Sequence, residues 1–148
     1  MKAGSAAVAI IGLAATGVFI SALRAQQASQ PSRSVWDGVY TEEQARRGQT
    51  LYASECQSCH GAALTGVEEA PPLAGPAFLA NWNGLTVGDL SERIRASMPP
   101  NNPRRLSRDK IADILARVLS VNEFPAGKAE LEREPEVLKQ IRIDASKP

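Results

Sequence analysis

Histidine is nearly absent from this 148-residue chain, which holds only His60. Cysteine stops at two, Cys56 and Cys59, and methionine at two, Met1 and Met98. A structural zinc ion needs four nitrogen or sulfur ligands. Cys56, Cys59 and His60 give three, so a zinc shell would need an unusual carboxylate. Aromatic residues make up only 5% of the chain, which leaves the core short of large rings. A bulky apolar group at the centre would offset that shortage. No stretch reads convincingly as a strand, and no internal repeat is visible. The formal charge is +1, without the basic footprint that nucleic-acid binding requires.

Acidic residues are also missing from the first 25 positions, where Lys2 precedes an uncharged run of Ala, Val, Ile, Gly, Leu and Phe that lasts until Arg24. A positive start followed by an apolar stretch is an export signal. Residues 3–23 approach the ~20 needed to span a bilayer. Ala25 suits a cleavage point but Leu23 does not, so residues 1–25 fit either a removed signal peptide or a retained anchor. Without Lys2 and Arg24 the remainder carries a formal −1. Residues 26–34 read as a polar tether, and 35–148 as one domain ending in a C-terminal tail.

Within that domain the periodicity predicts three main helices. Thr41 and Gln44 have the spacing of a capping box, and Ala45, Gly48, Leu51 and Tyr52 follow as an apolar stripe. Glycine at position 48 costs helix propensity and makes sense where another helix crosses at close range. Residues 61–85 read as a long irregular loop. Thr86 caps a second helix with Leu90 and Ile94 inward, which Pro99 stops by Met98. Ser107 caps a third, with Ile111, Ile114, Leu115, Val118 and Leu119 on one face. A short charged helix is expected at about 135–141.

Between the first helix and the loop stands "CQSCH", Cys56 to His60. Disulfide oxidoreductases carry Cys-x-x-Cys near a βαβ pattern, which this chain lacks. Cys-x-x-Cys-His is the attachment motif of c-type haem, in which two thiols add to the vinyl groups and the histidine meets the iron. The export signal fits that chemistry. His60 is the sole histidine, so a second imidazole ligand is excluded. Met1 belongs to the export segment, which leaves Met98, held extended before Pro99 and Pro100, as the sixth ligand. A gap-filling core role is the alternative for Met98.

Together "GQTLYASECQSCHGAAL", "PPLAG", "MPPNNP" and "LSRDKIADILARVLSVN" resemble the class I c-type cytochromes of the small single-haem bacterial type. The chain is similar to cytochrome domains that accompany periplasmic quinoprotein dehydrogenases. The resemblance implies an all-α fold of three main helices and long loops around one covalent haem c. It implies that the first and last helices cross near right angles, with Gly48 opposite Ile111, Ile114 and Leu115. It also implies that the Pro71 carbonyl meets the second ring nitrogen of His60, a contact that tunes a metal ligand. Arg104 and Arg105 stand where similar sequences often have glycine, and Arg117 where they often have an aromatic.

Other residues keep two readings. Trp82 either donates to a haem propionate or is an ordinary half-buried ring. Trp36 and Tyr40 read as staples for the segment before the first helix. Arg93, Arg95, Arg104, Arg105, Arg108 and Lys110, against Asp89, Glu92 and Asp109, are either a solvated face or a docking rim. The expectation is a periplasmic one-electron carrier, not an enzyme, with cofactor contacts at Cys56, Cys59, His60, Pro71 and Met98 and iron ligands His60 and Met98. Its expected partner is a periplasmic dehydrogenase or a respiratory complex, with a terminal oxidase among the candidate acceptors. No nucleic acid is expected, and membrane contact only through residues 1–25. The alternative is a haem enzyme or gas sensor with an open distal site, although no second histidine exists to serve as a peroxidase acid–base group.

Overall fold

The computed structural model describes residues 32–68 and 70–148, and the stretch read above as an export signal or anchor lies outside them. Among the described residues no helix is long and apolar enough to cross a membrane. In chain order come β1 (Arg33–Ser34), a 3₁₀ turn (Val35–Asp37), α1 (Glu42–Glu55), α2 (Gln57–His60), α3 (Pro76–Trp82), α4 (Val87–Ser97), α5 (Arg108–Val121), α6 (Pro135–Leu138) and β2 (Ile141–Arg142). The three predicted long helices are α1, α4 and α5.

Each long helix starts at a side-chain cap that satisfies an otherwise orphaned amide. The hydroxyls of Thr41, Thr86 and Ser107 accept from the backbone of Gln44, Asp89 and Lys110. Only at Thr86 does the N3 side chain reply, with the Asp89 carboxylate accepting from the Thr86 amide at 2.8 Å. The capping box expected at Thr41 is half made. Gln44 is 2% exposed and turns inward, where its amide donates to the Leu131 carbonyl at 3.0 Å and accepts from the Leu131 amide at 2.7 Å. A buried carboxamide takes the partners that leave it best satisfied, and here those lie on the C-terminal tail.

Helices α1 and α5 are the main packed pair. The predicted α5 face is buried throughout, with Ile111, Ile114, Leu115, Val118 and Leu119 at most 2% exposed. Tyr52 and Ala45 from α1, Leu90 from α4 and Phe78 from α3 join it in one core. Gly48 does meet α5, but on the flank of that face. A Cβ at Gly48 would fall 1.8 Å from the Asp113 carbonyl oxygen and 3.1 Å from Arg117 Cβ. The backbone of α5 fills the space a side chain would need. Arg47 brackets the crossing, paired with Asp113 at 3.1 Å and Glu130 at 2.9 Å.

Three local expectations are corrected. The irregular loop contains α3, which begins with proline at its first turn, a position where the missing amide costs nothing. The last two residues of the stretch read as a tether form β1, which pairs in parallel with β2 (Arg33 with Ile141). The C-terminal charged helix stops at Leu138, and the chain then becomes strand.

The last two changes share one cause, since the tail is a strap and not an appendage. Gly127 donates to the Tyr40 carbonyl at 2.6 Å, and a Cβ there would lie 1.9 Å from the Gly38 carbonyl oxygen. Leu131, Leu138, Ile141 and Ile143 are buried. The Tyr40 hydroxyl donates to the Phe124 carbonyl at 2.6 Å, and the Trp36 ring meets Phe124 edge-on at 5.0 Å. The Trp36 indole N–H donates to the Asp144 carbonyl at 3.0 Å. Trp36 and Tyr40 are staples, as expected, and what they hold is the strap.

Because backbone blocks position 48, even one methyl group there must push the helices apart. Gly48→Ala is expected to destabilise the fold by ~1–3 kcal/mol as overpacking does, with Gly48→Val lower still. The denaturant midpoint checks this, and a midpoint equal to the parent protein would contradict the crossing.

Candidate functional site: the attachment turn and its loop

Helix α1 hands its last turn to Cys56, whose amide donates to the Tyr52 carbonyl at 2.9 Å. The single turn α2 then carries Cys59 and His60, whose amides both donate to the Cys56 carbonyl, at 3.2 and 2.9 Å. Side chains three and four apart on a helical turn share one face. Cys56 is half-buried against the core, Cys59 is exposed, and neither is in a disulfide. Burial, with Cys59 adding, pushes the Cys56 thiol up to about 11. A dithiol redox site needs the opposite shift, because the attacking group is the thiolate.

His60 is 8% exposed, and its Nδ1 lies 2.9 Å from the Pro71 carbonyl oxygen, the contact that the resemblance implied. A carbonyl only accepts, so Nδ1 carries the hydrogen. In the neutral ring this leaves the lone pair on Nε2 for a metal. The Tyr52 hydroxyl donates to the Gly61 carbonyl at 2.7 Å, and the Gly66 amide to the His60 carbonyl at 3.0 Å. The histidine is therefore held from both sides of its own backbone.

Pro71 sits in a loop that returns on itself. The amides of Leu73 and Ala74 both donate to the Leu64 carbonyl, at 2.8 and 3.1 Å. From the end of α5, Asn122 Oδ1 accepts from the Gly75 amide at 3.0 Å. Its Nδ2 donates to the Leu73 carbonyl at 3.0 Å and the Val118 carbonyl at 2.9 Å.

Met98 arrives on another element. It is the C-cap of α4, extended at φ −120° and ψ 145°, with its amide on the Ile94 carbonyl, and the Met98–Pro99 peptide is cis. Met98 is half-buried. The loop beyond it is tied to the attachment turn by a two-pronged ion pair from Arg105 to Glu55, the neighbour of Cys56. Arg105, read as part of either a solvated face or a docking rim, is partnered, as is Arg95 with Glu92 at 3.5 Å. Trp82 is half-buried, its ring tilted 33° to Phe78 at 6.3 Å.

The structure thus brings Cys56, Cys59, His60 and Pro71 into one constellation, and Met98 lies at the end of α4. Among the described residues no three His, Cys, Asp or Glu side chains converge as a metal shell. Two free thiols on one turn, with an imidazole whose Nε2 stays available, fit a haem. Tyr52, Glu55 and Asn122 escaped the sequence reading as polar contributors. Tyr52 was visible as an apolar stripe residue and Glu55 as the neighbour of Cys56, but nothing local marked Asn122.

Burial, with Cys56 adding and Arg117 opposing, pushes the Tyr52 phenol up to about 12, and burial raises Tyr40 as well. A phenol with a raised folded pKa contributes stability in full below its unfolded value of 10.0 and loses it as pH climbs from there toward 12. An alkaline absorbance titration should show little phenolate at pH 10, and Tyr52→Phe should remove the component near pH 12. Half-ionised tyrosine at pH 10 would contradict the burial of both hydroxyls.

A comparison with curated proteins finds no match. Among solved structures, the chain is similar to the sulfane dehydrogenase SoxCD from Paracoccus pantotrophus, at 23% identity and a TM-score of 0.47. The match covers 72% of this chain and 61% of that one. A family model described as cytochrome C oxidase, cbb3-type, subunit III, matches residues 43–116, from the start of α1 to the middle of α5. That is half of the chain, and the chain belongs to this family of c-type cytochrome domains, with the class I fold.

Proposed function

We propose that this protein is a single-haem c-type cytochrome that carries one electron at a time between protein partners in the periplasm. The observation that supports it best is the attachment turn, with paired free thiols and an imidazole whose Nδ1 is committed to the Pro71 carbonyl. In this reading Cys56 and Cys59 hold the haem through thioethers, and His60 and Met98 are the iron ligands. When bound, the haem supplies a centre that accepts and returns one electron. His60 presents Nε2 while Pro71 fixes its tautomer and raises its basicity. Met98 would be the second protein ligand of the iron, and a thioether ligand would raise the potential. The Arg105–Glu55 pair ties the two ligand-bearing segments together.

The partners are redox proteins with an acidic docking face. All three acidic residues of the cluster around Met98 are engaged: Asp89 caps Thr86, Glu92 faces Arg95, and Asp109 takes Arg133 at 2.6 Å. Arg93, Arg104, Arg108 and Lys110 have no ion-pair partner among the described residues. Arg108 and Lys110 also sit in the first turn of α5, where the helix dipole disfavours cations. Unpaired charge there steers an acidic partner. Candidate donors and acceptors are a periplasmic dehydrogenase, a respiratory complex and a terminal oxidase.

The test is spectroscopic, on protein matured in the periplasm. Changing Cys56 and Cys59 together to Ala should leave no haem that survives acid-acetone extraction. Met98→Ala should keep the haem, lose the ferric methionine-to-iron absorption band and bind carbon monoxide in the ferrous form. Covalent haem in the double variant would refute the attachment. Fast carbon monoxide binding by the parent, unchanged in Met98→Ala, would favour the open-site alternative.

A further inference from the structure

The Pro71 carbonyl is only as well placed as the loop that carries it. That loop is closed mainly on itself: Leu73 and Ala74 donate to Leu64, and Ala70 to the Val67 carbonyl at 2.9 Å. The first half of the loop is also tied to the histidine, the Gly66 amide donating to the His60 carbonyl at 3.0 Å, but none of these bonds sets where the half after Pro71 sits against α5.

Asn122 supplies the position. It caps α5, the most deeply buried helix, and its Nδ2 is anchored on the Val118 carbonyl one turn back. The same nitrogen donates to the Leu73 carbonyl, and Oδ1 accepts from the Gly75 amide, so the side chain grips the loop two and four residues after Pro71. These partners also settle which end of the carboxamide is which, because two carbonyls require the NH₂ and one amide requires the oxygen. A carboxylate would keep the bond to Gly75 but face both carbonyls with negative charge. A methyl group would leave all three backbone groups without this partner.

We propose that Asn122 is a positioning residue for the axial histidine: it fixes the loop so that the Pro71 carbonyl stays on His60 Nδ1–H. This rests on the haem reading above and extends it to a residue 62 positions from the histidine in sequence. The hydrogen bonds of Asn122 go to Leu73, Gly75 and Val118 and not to His60 or Pro71, so its effect on the ring proton runs through the loop.

The test is solvent exchange of the His60 Nδ1 proton, followed by NMR in the ferrous haem-loaded full chain. Freeing the Pro71 carbonyl from the ring is expected to speed that exchange roughly three- to tenfold in Asn122→Ala, with a rise also in Asn122→Asp, whose carboxylate repels the Leu73 carbonyl. The amides of Ile114 and Leu115 should keep their protection in both variants, which separates local positioning from a general loss of stability. If Asn122→Ala does not accumulate, Asn122→Asp alone carries the comparison. Unchanged ring-proton exchange, or a rise matched by the α5 amides, would overturn the proposal while leaving the haem assignment standing. A parent protein without haem would overturn the assignment and this inference together.

Discussion

Two helices can pass within backbone contact only where one of them has no side chain, and in this protein that place is Gly48 beneath the Asp113 carbonyl. The crossing sets the register of both helices at once. Cys56 lies eight residues beyond it on α1, about 12 Å along the axis at 1.5 Å per residue. Asn122 lies nine residues beyond Asp113 on α5, a similar reach. One helix end presents the attachment turn and the other grips the loop that steadies the histidine. A shift at the crossing would therefore reach the site through both arms, although neither Gly48 nor Asp113 belongs to it.

The strap completes this frame from outside. Gln44, buried near the start of α1, is satisfied only because Leu131 returns to it, and Trp36 and Tyr40 close over Phe124. From there the chain runs to Ile143, which exchanges backbone bonds with Gly84 and Leu85 at 2.8 Å each, next to Trp82. The strap thus joins the entry of α1 to the entry of α4, the helix that ends at Met98. Ordering the tail costs conformational entropy, and buried Leu131, Leu138, Ile141 and Ile143 offset it.

The sequence disclosed what is local and periodic. Helices α1, α4 and α5 followed from their spacing and caps, and the attachment turn from five adjacent residues. Pro71 came from family resemblance and was then found at hydrogen-bond distance. What stayed hidden depends on distant partners. Gln44 looked like a capping residue because its partner, Leu131, lies 87 positions away. Arg105 looked like free surface charge because Glu55 is 50 positions away. Helix α3 was lost in a run of Gly and Pro that reads as loop unless proline is recognised as a first-turn residue and Phe78 as its core anchor.

The central claim is that Cys56, Cys59, His60 and Met98 make a one-electron centre. A potentiometric titration of the protein matured in the periplasm, followed by visible absorption, tests it most directly. The account predicts one reversible transition that fits a one-electron Nernst curve, with the chromophore retained through denaturation. A two-electron transition, as a cysteine pair would give, or no reducible chromophore at all, would contradict it.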